Sequence, residues 1–187
     1  MAHYIFPPGI SAEDIKGCGT SGMAALDPST GYILKFHLGD DDERERCETE
    51  REIYEQLEKS RYERPSSLLK FYGSTKHGIL LENAEHGPVR KDLRQSRSAK
   101  TIDKTTVFWW ARQATEAVQF VHANGIHHGD VNCTNFFVDG NLDLKLGDFT
   151  SSVNDLAVTA EDLREDILNI GAALYELGTG HLPSPNF

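Results

Sequence analysis

The chain has 187 residues, 39% apolar and 26% charged, with 29 acidic against 19 basic side chains and a formal net charge of −10. That length allows one or two domains with a real buried core, and the acidic balance argues against nucleic acid as the main partner, because phosphate recognition needs Lys and Arg in excess on one face. Three cysteines, Cys18, Cys47 and Cys133, without C-x-x-C spacing point to free thiols in an intracellular, cytoplasmic setting rather than a disulfide framework or a zinc site, and neither a signal peptide nor a membrane-spanning run is expected.

In chain order, residues 1–12 carry Pro7, Pro8 and Gly9 and read as an irregular lead-in. Gly17-Cys18-Gly19-Thr20-Ser21-Gly22 is a G-x-G-x-x-G. Its glycines let backbone N–H groups approach phosphate oxygens closely, although glycines also cluster in plain turns. A dinucleotide fingerprint would run straight into a helix. Here a turn over 27–31 leads instead into the β-rich run 32–36, which carries Lys35. Residues 40–59 are dense in charge and read as a helix. Acids crowd its start, Ile53 and Leu57 form an i, i+4 apolar pair, and most of its charges belong to a solvated face. Two further strands are expected over 67–73 and 78–83. Gly87-Pro88 marks a boundary, and Asp92-Leu93 fits a short helix.

The clearest helix spans 101–124, with Val107, Trp110, Ala111, Ala114, Val118 and Val121 on one stripe and Asn124-Gly125 as its stop. Trp109 and Trp110 are expected in the core rather than as a stacking platform. The stretch His127-His128-Gly129-Asp130-Val131-Asn132-Cys133-Thr134-Asn135 follows, and then Lys145-Leu146-Gly147-Asp148-Phe149-Thr150. Between them Phe136-Phe137-Val138, an Asp139-Gly140 turn and alternating Leu142, Leu144 and Leu146 predict a β-hairpin. Such a hairpin returns Asn135 and Asp148 to one end, where their oxygens suit a hard cation such as Mg2+ holding a phosphate. The competing reading is a surface loop of polar turn formers. A strongly apolar helix is predicted from Asp166 to Gly180.

The segments H-G-D-V-N-C-T-N and D-F-T resemble the catalytic loop H-R-D-x-x-x-x-N and the D-F-G of protein kinases. The glycine segment followed by the Lys35 strand resembles the kinase flap and V-A-I-K strand, and the run from Asp166 through L-Y-E-L-x-T-G resembles kinase helix F. The resemblance implies an α+β, two-lobe fold: a small antiparallel N-lobe over 1–84 and a partial, mainly helical C-lobe over 85–187. It implies ATP and Mg2+ as cofactors. Gly17, Gly19 and Gly22 would form the flap, and Lys35 would contact the α- and β-phosphates. Glu50 is the implied partner of Lys35, with Glu52 second. The backbone from Glu82 to Ala84 would meet the adenine edge, Asp130 would accept the substrate hydroxyl proton, and Asn135 and Asp148 would hold Mg2+. Asp166 would anchor the loop by accepting N–H bonds, and His122, His127 and His128 are structural.

Departures from the family pattern carry their own implications. Gly129 stands for the Arg that pairs with an activation-loop phosphate, so regulation of that kind is not expected. Asn132 stands for a Lys near the γ-phosphate and supplies a hydrogen bond without a full charge, which implies a slower enzyme. Thr150 stands for the last glycine of D-F-G and stiffens the backbone beside Phe149. Asp166 follows Asp148 after only 18 positions (148 to 166), and no A-P-E occurs, which casts doubt on a protein substrate. Three readings stand: a phosphotransferase acting on Ser/Thr or on a non-peptide hydroxyl; a pseudokinase that binds nucleotide, or a partner protein through helix 40–59; and a fragment whose last helix leaves Ile167, Ile170, Leu174 and Leu177 partly uncovered. The short H-G-D segment also resembles atypical kinases of the RIO and Bud32 kind.

Overall fold

The computed structural model describes residues 6–19, 21–39, 41–99, 102–154 and 158–184. The chain divides into two units, Met1–Lys59 with Lys70–Asn83, and Ser60–Leu69 with Ala84–Phe187. The fold is α+β, with an antiparallel sheet in the first unit and mainly helices in the second.

The first unit holds β1 (Ile15–Gly19), β2 (Gly22–Leu26), β3 (Ile33–Phe36), α1 (Asp41–Glu58), β4 (Phe71–Thr75) and β5 (Gly78–Leu81). The strands form one sheet in the order β1-β2-β3-β5-β4, every pair antiparallel. Side chains alternate across a strand, so Leu34 and Phe36 share one face with Ala25, while Lys35 takes the other. On the Leu34 face, Ile15, Met23 and Leu80 pack together with Phe6 and Ile10 from the lead-in. That lead-in is therefore less irregular than expected. It covers the sheet and ends in a 3-10 turn, Ala12–Asp14, capped reciprocally by Ser11 and Asp14. Helix α1 buries Glu50, Ile53, Tyr54 and Leu57, and the Tyr54 ring stacks on Phe71 of β4 at 5.5 Å. Each apolar side chain so buried contributes about 1.5–3 kcal/mol. Asp40, the expected start of this helix, lies outside the described residues.

One strand starts later than the sequence implied. The run 67–73 enters the sheet only at Phe71. Before that, Leu68 bridges Leu146 in the second unit, with Leu69 N–H donating to the Leu146 carbonyl at 2.9 Å and Leu146 N–H to the Ser67 carbonyl at 2.8 Å. The buried Leu146 backbone needs those partners, and Leu68 and Leu69 are buried with it.

The second unit continues with β6 (Gly87–Pro88), α2 (Val89–Ala99), α3 (Lys104–Ala123), β7 (Ile126–His127), β8 (Phe136–Val138), β9 (Leu144–Leu146), β10 (Val153–Asn154) and α4 (Ala160–Thr179). The Gly87-Pro88 boundary is itself a short strand in a β6-β8-β9 sheet. Helix α3 begins where the Asp103 carboxylate accepts the Thr105 and Thr106 N–H groups; Thr101 lies outside the described residues. Trp110, Ala114, Val118 and Val121 are buried as expected, but Trp109 is 45% exposed. Neighbouring helix positions point about 100° apart, so only one tryptophan of the pair reaches the core. Trp109 instead donates from Nε1 to Asp143, and Trp110 to the Leu142 carbonyl.

The hairpin also differs in detail. Leu142 is not a strand residue: it sits at φ +65 in the loop, 53% exposed. The Asp139 carboxylate accepts the Asn141 and Asp143 N–H groups and so closes a longer turn than a bare Asp-Gly. Burial pushes the Asp139 carboxyl up, but those amides and the Lys145 ammonium, 3.2 Å away, outweigh it and hold the group below the usual carboxylate range.

Helix α4 starts at 160 rather than 166, because Thr159 and Asp162 form a capping box that fixes its first turn. Its buried face is Asp166, Ile170, Ala173, Glu176 and Leu177. Ile167 and Leu168 are exposed, so the expected face is rotated off Ile167. Among the described residues no helix is long and apolar enough to cross a membrane.

Candidate active site

In the first unit, β1 and β2 form a glycine hairpin. Gly22, at φ +113, has the Phe36 carbonyl oxygen where a Cβ would stand, so only glycine fits. At Gly17 and Gly19 a Cβ would meet nothing; both lie on exposed backbone that a ligand can approach. Thr20 lies outside the described residues. The Cys47 thiol donates to the Ser21 carbonyl at 3.1 Å and ties α1 to this turn. Lys35 Nζ lies 2.7 Å from Glu50 Oε2, with Lys35 nearly buried and Glu50 fully so. The pair is Lys35 with Glu50, while Glu52 is exposed on the other side of α1. At the end of β5, Glu82 N–H donates to the Lys70 carbonyl at 2.9 Å, and the Glu82 carboxylate accepts Lys70 N–H. In the second unit the Ala84 carbonyl accepts Gly87 N–H. Glu82 N–H is thus already committed within the protein.

In the second unit α3 ends at Asn124, and β7 leads into the 128–135 loop. The loop alternates: His128, Val131, Cys133 and Asn135 are buried, while Asp130 and Thr134 face outward. Its fixed point is Asp166 on α4. Asp166 Oδ2 accepts His128 N–H at 2.8 Å, and Oδ1 accepts Gly129 N–H at 3.0 Å. His122 Nε2 lies 2.9 Å from Oδ2 and His127 Nε2 lies 3.5 Å from Oδ1. Burial raises the Asp166 carboxyl, but the His122 bond, the two loop amides and the His127 ring together hold it below the usual range. His128 is fully buried, and burial lowers its pKa. Its Nδ1 faces Asp130 N–H and its Nε2 faces the Gly147 carbonyl, the pattern of a neutral ring protonated on Nε2.

Two amides hold the Asp130 carboxylate. Asn132 Nδ2 donates to Oδ1 and Asn135 Nδ2 to Oδ2, each at 2.7 Å. Asn132 bonds only within the loop, its own oxygen accepting Thr134 N–H at 2.8 Å. Asn135 also donates to the Asp130 carbonyl, which turns its Oδ1 away from Asp130. Strands β8 and β9 pair in register from Phe136↔Leu146, and Gly147 N–H donates to the Asn135 carbonyl at 3.0 Å. The hairpin therefore returns Asn135 and Asp148 to the same end. Asp148 adopts φ +62, and Phe149 is buried with its ring 4.9 Å from that of His128.

Among the described residues no group of three His, Cys, Asp or Glu is gathered to hold a metal. A carboxylate and an amide oxygen at the same end of a hairpin still suit Mg2+, which keeps several waters and is bound by one or two carboxylates plus substrate phosphates. The donor set fits a cation that arrives with a nucleotide.

Sequence reasoning missed several contacts. Arg90 makes a two-pronged pair with buried Glu176 at 2.9 and 2.8 Å, and its N–H donates to the Cys133 carbonyl. This braces the loop from beneath, but 86 positions separate the partners and leave no local signal. Burial pushes the Cys133 thiol far up. Ser152 Oγ donates to the His128 carbonyl at 3.0 Å, and Thr150 Oγ1 to Asp148 Oδ1 at 2.8 Å. Only the excess of small hydroxyl residues after Phe149 hinted at these bonds.

A model of the protein kinase domain matches residues 32–162, which contain Lys35, Glu50 and the whole 128–150 site. Serine/threonine-protein kinase YPK3 of Saccharomyces cerevisiae is 29% identical over 142 residues, covering 73% of this chain and 26% of that protein. Serine/threonine-protein kinase PKH2 of the same yeast is 34% identical over 71 residues, 38% of this chain and 6% of that protein. Mitogen-activated protein kinase kinase kinase 9 of Arabidopsis thaliana is 24% identical over 143 residues, 63% of this chain and 18% of that protein. The chain spans about a quarter or less of the length of these relatives. With most of its length matched, and with a paired strand lysine and an amide-held aspartate inside the match, the chain belongs to the protein kinase domain family.

Proposed function

We propose that the chain is an ATP-dependent phosphotransferase that moves the γ-phosphate of Mg-ATP to a hydroxyl, the first candidate substrate being a Ser or Thr side chain of a protein. The observation that carries this reading is the Asp130–Asn135 hydrogen bond at the foot of the hairpin. It fixes a carboxylate for a hydroxyl proton and turns the Asn135 amide oxygen away from Asp130. Bound Mg-ATP supplies the electrophilic phosphorus and the charge neutralisation on which phosphoryl transfer depends. Lys35, paired with Glu50, binds phosphate oxygens. Gly17, Gly19 and Gly22 offer backbone to them, and backbone near Glu82 and Ala84 meets the adenine. Asn135 and Asp148 hold the cation. Asp130 orients the attacking hydroxyl and takes its proton. Asn132 serves by holding Asp130, a positioning role rather than direct contact with the transferred phosphate.

The names of the relatives favour a protein Ser/Thr hydroxyl. The short interval from Asp148 to Asp166 favours a second reading, a small hydroxyl compound, because it leaves little chain for a peptide platform. The thermal midpoint with and without millimolar Mg-ATP tests the binding step, since a ligand of the folded state raises it by mass action. Phosphate transfer to a general Ser/Thr protein substrate and to small polyols separates the substrate classes. Asp130→Ala should abolish transfer while keeping the Mg-ATP shift. Undiminished turnover in Asp130→Ala would remove Asp130 from its assigned role, and no shift with Mg-ATP would remove the nucleotide reading altogether.

A further inference from the structure

We propose that Thr134 is a positioning residue for Asp130, acting through Asn132: its hydroxyl sets which way the Asn132 amide faces, and that amide fixes the carboxylate. This rests on the reading of Asp130 as the group that takes the hydroxyl proton. The direct observation lies in the two ends of one side chain. Asn132 Oδ1 accepts the Thr134 N–H at 2.8 Å and also the Thr134 hydroxyl. Asn132 Nδ2 donates to Asp130 Oδ1 at 2.7 Å and to the Asp130 carbonyl at 3.2 Å.

An asparagine side chain offers two N–H donors and two acceptor lone pairs. In Asn132 all four are used inside the loop, two on Asp130 and two on Thr134. Reversed, the amide would set its oxygen against the Asp130 carboxylate and its NH2 against the Thr134 N–H. The backbone N–H at 134 supplies one bond to the oxygen end, and the threonine side chain supplies the second. On the other flank Asn135 Nδ2 donates to Asp130 Oδ2 at 2.7 Å and to the same carbonyl at 2.8 Å. Asn135 Oδ1 lies 3.5 Å from the Thr134 hydroxyl. Thr134 thus stands between the oxygen ends of two amides whose nitrogen ends hold Asp130. Each amide straddles the main-chain carbonyl and one carboxylate oxygen of Asp130, so the carboxylate cannot turn without breaking charge-assisted bonds.

The backbone keeps this spacing. Val131 and Cys133 are buried, while Asp130 and Thr134 are exposed with half-buried Asn132 between them. Asn135 N–H donates to the Asn132 carbonyl and Arg90 N–H to the Cys133 carbonyl, each at 3.0 Å. A carboxylate has about four lone-pair sites, so the two amides leave room on both oxygens for an incoming hydroxyl. A positioned base contributes about 10²–10⁴-fold to a rate, and a misplacement of about 1 Å costs about 10²-fold. Loosening one of the two clamps at its far end should cost part of that, about tenfold.

The test uses the full chain with saturating Mg-ATP and, as acceptor, a general Ser/Thr protein substrate or a small polyol. Thr134→Val keeps the shape and removes the hydroxyl, Thr134→Ser keeps the hydroxyl, and Thr134→Ala repeats the loss if the valine variant does not fold. Thr134→Val should lower kcat about tenfold with the KM for ATP and the Mg-ATP thermal shift unchanged, and Thr134→Ser should keep the parent's kcat. Starting from Asn132→Ala, which removes the link, Thr134→Val should cost nothing further. Without turnover, solvent exchange of the Asn132 side-chain amide protons, followed by NMR, should quicken about tenfold in the valine variant and not in the serine one. A valine variant with the parent's kcat and amide exchange overturns the assignment of Thr134 while leaving Asp130 in its role. Losses that multiply in the double variant overturn the route through Asn132, and a serine variant that behaves like valine overturns the hydroxyl role. A parent that transfers no phosphate to either acceptor overturns both this proposal and the reading it rests on.

Discussion

Asp166→Asn is close to isosteric, yet the structure makes it nearly as damaging as Asp166→Ala. Each carboxylate oxygen accepts one loop amide, Oδ2 from His128 and Oδ1 from Gly129. An asparagine has one oxygen, so its NH2 must face one of those N–H donors. Hydrogen bonds to a charged group contribute about 1.5–3 kcal/mol each, and a buried donor left unmatched costs about 1–3 kcal/mol. Losing one bond and the charge beside His122 and His127 gives an expected loss of about 3 kcal/mol for Asn and about 4 kcal/mol for Ala, against a total stability of about 5–15 kcal/mol for a typical domain. Both tryptophans lie in α3, so urea unfolding followed by tryptophan fluorescence reports the second unit directly. The pH dependence follows from the depressed Asp166 carboxyl. A folded-state pKa below the unfolded one contributes stability that is fully present above the unfolded value, near pH 4, and is lost as pH falls through the folded value. The parent should therefore lose more stability than Asp166→Asn on acidification below about pH 4. An Asn variant within about 0.5 kcal/mol of the parent at neutral pH, inside the range of ordinary surface substitutions, would refute this account of the loop anchor.

Arg90→Met strands Glu176, which is only 5% exposed, and should cost about 3 kcal/mol, while Arg90→Met/Glu176→Leu recovers most of it; urea midpoints measure both. Lys35→Met leaves Glu50 buried without its cation and should destabilise the first unit by a similar amount. Lys35→Met/Glu50→Gln should restore the midpoint without restoring a shift on adding Mg-ATP, which separates a folding defect from a binding one. Gly129→Arg, the family residue, should destabilise by at least about 2 kcal/mol, since it places a side chain at positive φ against the Ser151 carbonyl; a neutral effect would show that the segment yields. At pH 8 a thiol reagent should label exposed Cys18 rapidly and spare Cys133, whose burial raises its thiol pKa; a Cys133 labelled at the rate of Cys18 would contradict its burial.

What the sequence made legible was whatever depends on local spacing. Ile53 and Leu57 share a buried face because four residues make about one helical turn, and the pairing of Phe136 with Leu146 follows from alternation around a turn. The return of Asn135 and Asp148 to one end follows from that hairpin. What stayed hidden was set by partners distant in sequence. Nothing near Ser67 says that its carbonyl serves Leu146, and nothing near Arg90 names Glu176. The start of α4 was a different failure, since Thr159 and Asp162 are a readable capping box that the more apolar run after Asp166 overshadowed. Leu142 misled because its alternation with Leu144 is real in the sequence, while the Asp139 carboxylate draws the loop one turn further before the strand begins.

The departures from the family pattern are physically connected. Glycine at 129 removes a cation, and the space without a Cβ is where the Ser151 carbonyl sits. That position brings the Ser152 hydroxyl to the His128 carbonyl, and Thr150 lies one residue back, bonded to Asp148. Residues 149–154, which the family pattern would order through an Arg–phosphate pair, are instead held by mostly neutral hydrogen bonds to the 126–128 backbone. Neutral contacts of this kind are weakened little by salt, whereas attraction between exposed charges is screened over about 10 Å at 0.1 M ionic strength. They also need no modification to form.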